Sequence, residues 1–360
     1  MRMSTLLTLY ILIGLVLMPQ ICMGAAVNGI NLCLGVVVPS LFPFFICSKI
    51  LVKNGFAQMV SKPLHFIMRP VFNVPGCGAF VFVLGILSGC PVGAKTVTDI
   101  FSRNMCTRAE AQRMLCFCNN SGPLFVIGSV AIGMLGFEEV GIILYLSHII
   151  SAVLVGILMR FYKRSEAINK TSYYNNDNNT DILSSSVTES VSLTGYVCGF
   201  IIFFSVAIEI FKQSGLVEIL CQRFYDKNIM SGALYGMLEM TNGISSLSSL
   251  AITPQLLGVV SFVLGFGGLS VILQVYGIIK KYNLSIVVFT VAKLIQGFVS
   301  GIITHLLLSF CKIPLPVFAD KTDFGILNHW AYFINILSVF GIIILFLSIL
   351  FMGCKILRRM

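Results

Sequence analysis

The chain has 360 residues, of which 57% are hydrophobic and 11% charged, and its formal net charge is +10. A soluble domain carries about 25% charged residues, so this composition, with a mean hydropathy of +0.95, excludes an ordinary soluble fold and puts nearly the whole chain in a bilayer. The basic residues are dispersed between apolar runs. That excludes a nucleic-acid-binding patch and reads as a set of membrane-topology signals.

The N-terminus, "MRMSTLLTLYILIGLVLMPQICMGAA", has one Arg, an apolar core and small residues near position 25. This is also the pattern of a signal peptide, but in a polytopic chain it serves as a first span, the reading preferred. A spanning helix needs about 20 predominantly apolar residues. Such runs fall near 5–23, 30–52, 114–136, 140–159, 191–213, 255–279, 285–311 and 330–354. Two more, 76–101 and 229–252, are broken at their middles by "LSGCPVGAK" and "LEMTNGISSLSS". The stretch 161–190, rich in Asn, Ser, Thr and Asp, reads as a flexible cytoplasmic linker between two halves.

Suppose the two broken runs are hairpins that enter and leave by one face, and the other eight runs cross. Seventeen of the 24 Lys and Arg then fall to the inner face and five to the outer, with Lys95 and Lys293 left inside the membrane and both termini cytoplasmic. Full crossings at the broken runs would put the basic flanks Arg69 and Arg103–Arg113 on opposite faces, so the hairpin arrangement segregates charge better. Residues 30–160 and 191–311 then share one order of span, hairpin, span, span, with opposite orientation, flanked by an N-terminal span (1–29) and a loop with a C-terminal span (312–360). The expected fold is an all-α polytopic membrane protein of about eight spanning helices plus two re-entrant hairpins in inverted repeats. Inverted repeats with interrupted segments at matching places are the signature of a secondary transporter.

Non-helical backbone is tolerated at membrane depth only where protein or a wet cavity satisfies it. Gly89, Pro91 and Gly93 would form the tip of the first hairpin, with a second half-helix starting near Ala94. Its N-terminal amides and the Lys95 ammonium would favour an anion, above all a carboxylate. Asp99, one turn further on, offers Lys95 an alternative partner. Asn119, Asn120 and Ser121 stand beside the Gly122-Pro123 break of the next span and are expected to line a cavity, or else to bond between helices. In the second half, Thr241, Asn242, Ser245 and Ser246 occupy the other tip, while Gly267, Gly268, Ser270 and Gln274 lie in the matching broken span. Glu239 is a candidate for binding a coupling cation or proton, or for pairing with Lys95 or Lys293.

The twelve cysteines form no C-x-x-C and read as small buried hydrophobes. The four histidines show no ligand spacing, so no metal site and no cofactor are expected. No Ser/His, Cys/His or paired-carboxylate arrangement stands out, and H-E-x-x-H and P-loop patterns are absent, so the chain does not read as an enzyme. The small-residue face "GFVSG" at Gly297–Gly301 suits packing within the bundle or between protomers of a homo-oligomer.

Four stretches carry a family resemblance. "PSLFPFFICSKIL" (Pro39–Leu51), "MRPVFNVPGCGAFVFVLGILSGCPVGAK" (Met68–Lys95), "TRAEAQRM" (Thr107–Met114) and "CNNSGPLFVIGSVAIGML" (Cys118–Leu135) together resemble the sporulation integral membrane protein YlbJ (SpoVV) family, which carries the nucleoside-recognition, or Gate, domain. More distantly the chain is similar to concentrative nucleoside transporters. The strong match covers about a third of the chain, and the second half follows in layout with looser motifs. The resemblance implies a place in the outer forespore membrane of the mother cell, among other sporulation membrane proteins and lipid. It implies dipicolinic acid as cargo, a rigid aromatic dianion moved from mother cell toward forespore by alternating access. It maps a hairpin motif to Ser88, Gly89, Pro91, Gly93 and Lys95, and a broken-span motif to Asn119, Asn120, Ser121 and Pro123. Cys90 and "CNNSGP" depart from the pattern and bear on the cargo more than on the fold. The alternatives are a nucleoside or another small molecule as cargo, and a membrane scaffold for spore assembly that transports nothing.

Overall fold

The computed structural model describes residues 3–163, 181–222 and 226–311, and all the regular structure among them is helical. Helix α1 (Met3–Leu17) meets α2 (Pro19–Leu32) at a bend of 107°. Proline lacks an N–H and disfavours helical geometry in the residue before it, and Met18 is accordingly non-helical. From Pro19 the chain stays helical through a π-helical turn, Cys33–Val37, into α3 (Val38–Lys53). The expected runs 5–23 and 30–52 are thus divided differently, with the break at Pro19. Helix α4 (Phe56–Phe72), which hydropathy did not single out, buries Ala57, Met68 and Phe72 and exposes Lys62, His65 and Phe66. It meets α5 (Cys77–Ser88) at 80°.

Four helical stretches are long and apolar enough to cross a membrane: α8 (Glu139–Met159), α9 (Ile182–Gln213), the broken stretch Pro254–Tyr282, and Ile286–Leu308 within α15 (Ile286–Cys311). Counting each bent pair as one span raises the number to six among the described residues. The expected C-terminal span 330–354 lies outside them, as does 164–180 of the expected linker. The end of that linker is helical, since α9 begins at Ile182. Asp181 accepts the Ser184 N–H at its start, and Ser185, Thr188, Ser190 and Ser192 donate their hydroxyls to carbonyls one turn back, so these four side chains are satisfied inside the helix.

The run 114–136 is also divided. After α6 (Val92–Ser102), α7 (Arg108–Cys118) opens with a capping box, in which Thr107 Oγ1 accepts the Glu110 N–H at 3.3 Å and Glu110 Oε2 accepts the Thr107 N–H at 2.8 Å. It ends at Cys118, and Asn119–Gly122 are irregular before Pro123 opens a π-helical segment, Leu124–Met134. The second half continues with α10 (Leu216–Cys221), α11 (Lys227–Leu238), α12 (Met240–Leu247), α13 (Pro254–Phe266) and α14 (Gly268–Ile279).

Both broken runs double back. A methyl group at Gly85 would lie 1.7 Å from the Cys118 carbonyl oxygen, and one at Gly93 would lie 2.0 Å from the same atom. Eight residues of continuous helix would separate these positions by about 12 Å, so α5 and α6 are the arms of a hairpin with its tip at Gly89–Pro91. The second half repeats the arrangement. A methyl at Gly243 would lie 2.0 Å from Gly236 Cα, and one at Gly232 would meet the Leu247 side chain at 2.6 Å, which places the tip at Glu239 between α11 and α12. Each tip faces an interrupted helix. Gly122 sits against the Leu87 carbonyl and the Ser88–Gly89 backbone, and Gly268 against the Gly236 carbonyl and Glu239.

Two apolar clusters hold this frame. One joins α4, the first hairpin, α7 and α14, with Phe72 stacked on Phe117 at 4.8 Å. The other joins α8, α12, α13 and the π-helical segment. Closing the second hairpin depends on the bare backbone of Gly243. Gly243→Ala is expected to cost about 1–3 kcal/mol, whereas Gly199→Ala, with nothing within 4 Å, changes little. Thermal unfolding of the detergent-purified variants measures the difference.

Candidate functional site

The irregular residues after α7 are the point where five segments meet. Asn119 Oδ1 accepts the Ala94 N–H of α6 at 3.3 Å, and Asn119 Nδ2 donates to Cys90 Sγ at 3.2 Å. Cys90, whose peptide bond to Pro91 is cis, donates its thiol to the Asn120 carbonyl at 3.1 Å. From α15, the Lys293 ammonium donates to the Asn119 carbonyl (3.0 Å) and to Gln296 Oε1 (2.6 Å), and Gln296 Nε2 donates to Asn120 Oδ1 (2.8 Å). From α8, His148 Nε2 accepts the Ser121 N–H at 3.0 Å. The Ser121 hydroxyl reaches Met240 Sδ of the second tip at 3.7 Å.

Lys293 sets the electrostatics of this junction. It is 1% exposed, its two partners are neutral oxygens, and no carboxylate of the described residues lies within ion-pair distance. An ammonium taken out of water without a counter-ion costs several kcal/mol. Two further features are unbalanced. Ser88 Oγ, at the first tip, and His148 Nδ1 are buried with no hydrogen-bond partner. The junction therefore holds one bare positive charge and unused hydrogen-bonding capacity, an arrangement that accepts an anion.

The second tip differs in sign. Glu239 caps α12 and is 3% exposed. Its Oε1 accepts the Thr241 N–H (3.1 Å), and its Oε2 accepts both the backbone and side-chain N–H of Asn242 (2.8 Å each). Asn242 Nδ2 also donates to Ser205 Oγ of α9 at 3.2 Å. Beside this tip lies a cavity of about 320 Å³ whose walls include Asn28, Ser205, Glu209, Lys212, Thr241, Asn242 and Ser245. Ser246 is outside that lining. In the broken span, Gln274 Nε2 donates to Ser270 Oγ at 3.2 Å, away from the tip's own bonds.

A curated sporulation integral membrane protein, YlbJ of Bacillus subtilis (strain 168), is 33% identical over 320 residues, a match covering 80% of this chain and 78% of the relative. The chain belongs to the YlbJ family. No family model and no solved structure matches it.

The fold of this YlbJ-family chain brings some of the residues singled out from the sequence together and separates others. Ser88, Gly89, Asn119, Asn120 and Ser121 do converge with Gly93, while Thr241, Asn242 and Ser245 gather at a separate cavity wall. Lys95 is not the charge at the junction. It pairs with Asp99 at 2.9 Å one turn along α6, because an acid four residues away on the same helix face is always within reach. Asp99 also holds Lys49 at 2.8 Å, and Lys49 and Lys53 hold Glu189 of α9 at 2.7 and 3.1 Å. Glu239 pairs with neither Lys95 nor Lys293, because the amides of α12 already occupy its oxygens. The second arm of the first hairpin starts at Val92 rather than Ala94.

Lys293, Gln296 and His148 were missed as members of the site. Lys293 carried the only available signal, a lysine inside an apolar run, and its partner Asn119 is 174 residues away. Removing Lys95 leaves Asp99 paired with Lys49, so Lys95→Ala is expected to change stability by less than about 1 kcal/mol. Asp99→Ala strips Lys95 of its anion and Lys49 of one of two, with an expected loss of about 3 kcal/mol. Chemical or thermal unfolding of the two variants gives the comparison.

Proposed function

We propose that this YlbJ-family protein is a transporter that moves a small aromatic dicarboxylate, dipicolinic acid, across the outer forespore membrane from mother cell toward forespore. The observation that carries this reading is Lys293, a buried ammonium with no carboxylate partner among the described residues, set where a hairpin tip meets an interrupted helix. A protein that serves only as packing scaffold gains nothing from an isolated buried charge, whereas a carrier of anions gains its counter-ion. The named relative supports a membrane role in sporulation, and the family resemblance supplies the particular cargo.

Mechanistically, the two hairpins and two broken helices form inverted repeats, and alternating access is the corresponding motion. Lys293 binds one carboxylate of the cargo, and Ser88 Oγ with the Asn120 and Gln296 amides orients it. The bonds that now close the junction, between Asn119 and the first hairpin at Cys90 and Ala94 and from the Cys90 thiol to the Asn120 carbonyl, are replaced as the hairpin moves away and water enters from one face. The proposed topology, which rests on the distribution of Lys and Arg along the sequence, has both termini on the cytoplasmic side. A neutral nucleoside would leave the Lys293 charge uncompensated, which ranks that cargo second.

Liposomes containing the purified protein are expected to take up dipicolinate and not uridine. Lys293→Met, which removes the charge and keeps most of the volume, is expected to reduce dipicolinate uptake more than tenfold without loss of stability. Wild-type liposomes that exclude dipicolinate, or a Lys293→Met protein as active as wild type, would overturn the assignment.

A further inference from the structure

His148 has no part in the reading above, yet its position is unusual. It lies in the middle of α8, fully buried, and accepts a backbone N–H from the one irregular segment that joins the first tip to Lys293. A ring nitrogen that accepts carries no proton, so Nε2 is the bare nitrogen and Nδ1 bears the hydrogen of the neutral ring. That Nδ1–H finds no acceptor, and the neighbouring Ser147 hydroxyl is also buried and unpartnered.

The charges around His148 are few. Of the elements packed on α8, α15 brings Lys293, its electrostatic neighbour, and further along His305. The π-helical segment and α13 contain no titratable residue. Helix α7 brings the Cys116 and Cys118 thiols, together with Arg108, Glu110 and Arg113 toward its start. Glu110 is held by Arg69 of α4 (2.6 Å), and Arg113 is held by the Asn73, Tyr162 and Lys163 carbonyls. Helix α4 further carries Lys62 and His65, and α8 itself carries Glu138 at its cap, Glu139 and Tyr145. Beside the ring itself, then, stands a single full charge, and it is positive.

We propose that His148 is the proton-binding site that couples cargo to a proton, so that one proton enters the junction with each dicarboxylate. Charge balance carries the inference, which rests on the anion reading of the junction. A dianion brought against Lys293 alone leaves one negative charge unpaired in an apolar interior. One proton from water, taken on the Nε2 lone pair of His148, makes ammonium, imidazolium and dianion neutral together. Before cargo arrives, the apolar surroundings and, beside them, the Lys293 charge both disfavour that proton. Once a carboxylate covers Lys293 the repulsion is gone, and each ligand favours the other.

The same proton also acts on the fold. A protonated Nε2 is a donor, and it faces the Ser121 N–H, another donor, at a separation set for a hydrogen bond. The bond is lost, and with it the tie between α8 and the interrupted helix whose Gly122 abuts the first tip. Binding the cargo and releasing the hairpin thereby become one event. His148 is a positioning group for the break as well as the proton site, and the two roles exclude each other in time.

The test is titration of dipicolinate into the full-length purified protein near neutral pH, where the ligand's own carboxyls are ionised, in two buffers of different ionisation enthalpy. The slope of binding heat against buffer enthalpy should correspond to uptake of about one proton per ligand bound, and in His148→Gln, which keeps an acceptor for the Ser121 N–H, to about none. Nitrogen NMR of the imidazole-labelled wild-type protein adds a readout that no variant's folding can spoil, with one buried neutral ring expected to become an imidazolium on saturation. Binding with equal heats in both buffers, four unchanged rings, or unaltered proton uptake in His148→Gln would each overturn the proton site and leave the cargo reading standing. Absence of any dipicolinate binding would instead overturn the cargo reading, and the proton site with it.

Discussion

Every interruption of a helix exposes backbone N–H donors, and in an apolar interior each must find an acceptor or cost several kcal/mol. That constraint governs the middle of this molecule. The donor at the start of α6 is taken by Asn119 Oδ1, the donor in the break after α7 by His148 Nε2, and the two donors at the start of α12 by the Glu239 carboxylate. In each case the acceptor is a side chain from the chemistry-bearing minority of a chain that is 57% hydrophobic. The polar residues that mark the junction are thus first of all the reason that broken helices exist there at all.

The two tips solve the problem with opposite charge. The first uses amide, imidazole and thiol groups and leaves a lysine as the net charge of its surroundings. The second uses a carboxylate, whose three accepted hydrogen bonds spread its charge over the start of α12. The second borders a cavity of about 320 Å³. The first is closed by side-chain contacts from the same residues that would have to part for anything to enter. Similar backbone layout in the two halves therefore carries dissimilar chemistry.

Much of this layout was legible in the sequence because glycine and proline act locally. Gly89, Pro91 and Gly122 in the first half, and Gly267-Gly268 in the second, mark where helices stop, whereas the second hairpin turns at Glu239 and Asn242-Gly243 lie inside α12. Pro19 carried the same kind of signal but lay inside a run apolar enough to pass as a single span. Helix α4 was overlooked because an amphipathic helix does not raise average hydropathy. The side-chain assignments fared less well wherever partners are distant in the chain. Lys95 was given to an anion, although Asp99 stood one turn away. Lys293 and His148 acquire meaning only when α15 and α8 are brought against residues 119–121, and no local pattern encodes that meeting.

The charged cluster of Lys49, Lys53, Lys95, Asp99 and Glu189 bears on where one half of the molecule ends and the other begins. Glu189 belongs to α9, the first helix after the polar stretch, yet its partners are lysines of α3, and Lys53 also donates to Ser185 of the same helix at 2.8 Å. Cys33 and Val37 pack on Val197 and Ile201 of α9, and Ile11 and Cys22 on its Ala207 and Ile210. The helix is thus lodged along its whole length among the opening segments of the chain. The seam along which the covalent polymer divides is therefore not the seam along which the helices pack, and a group made of α1, α2, α3 and α9 straddles the middle of the chain.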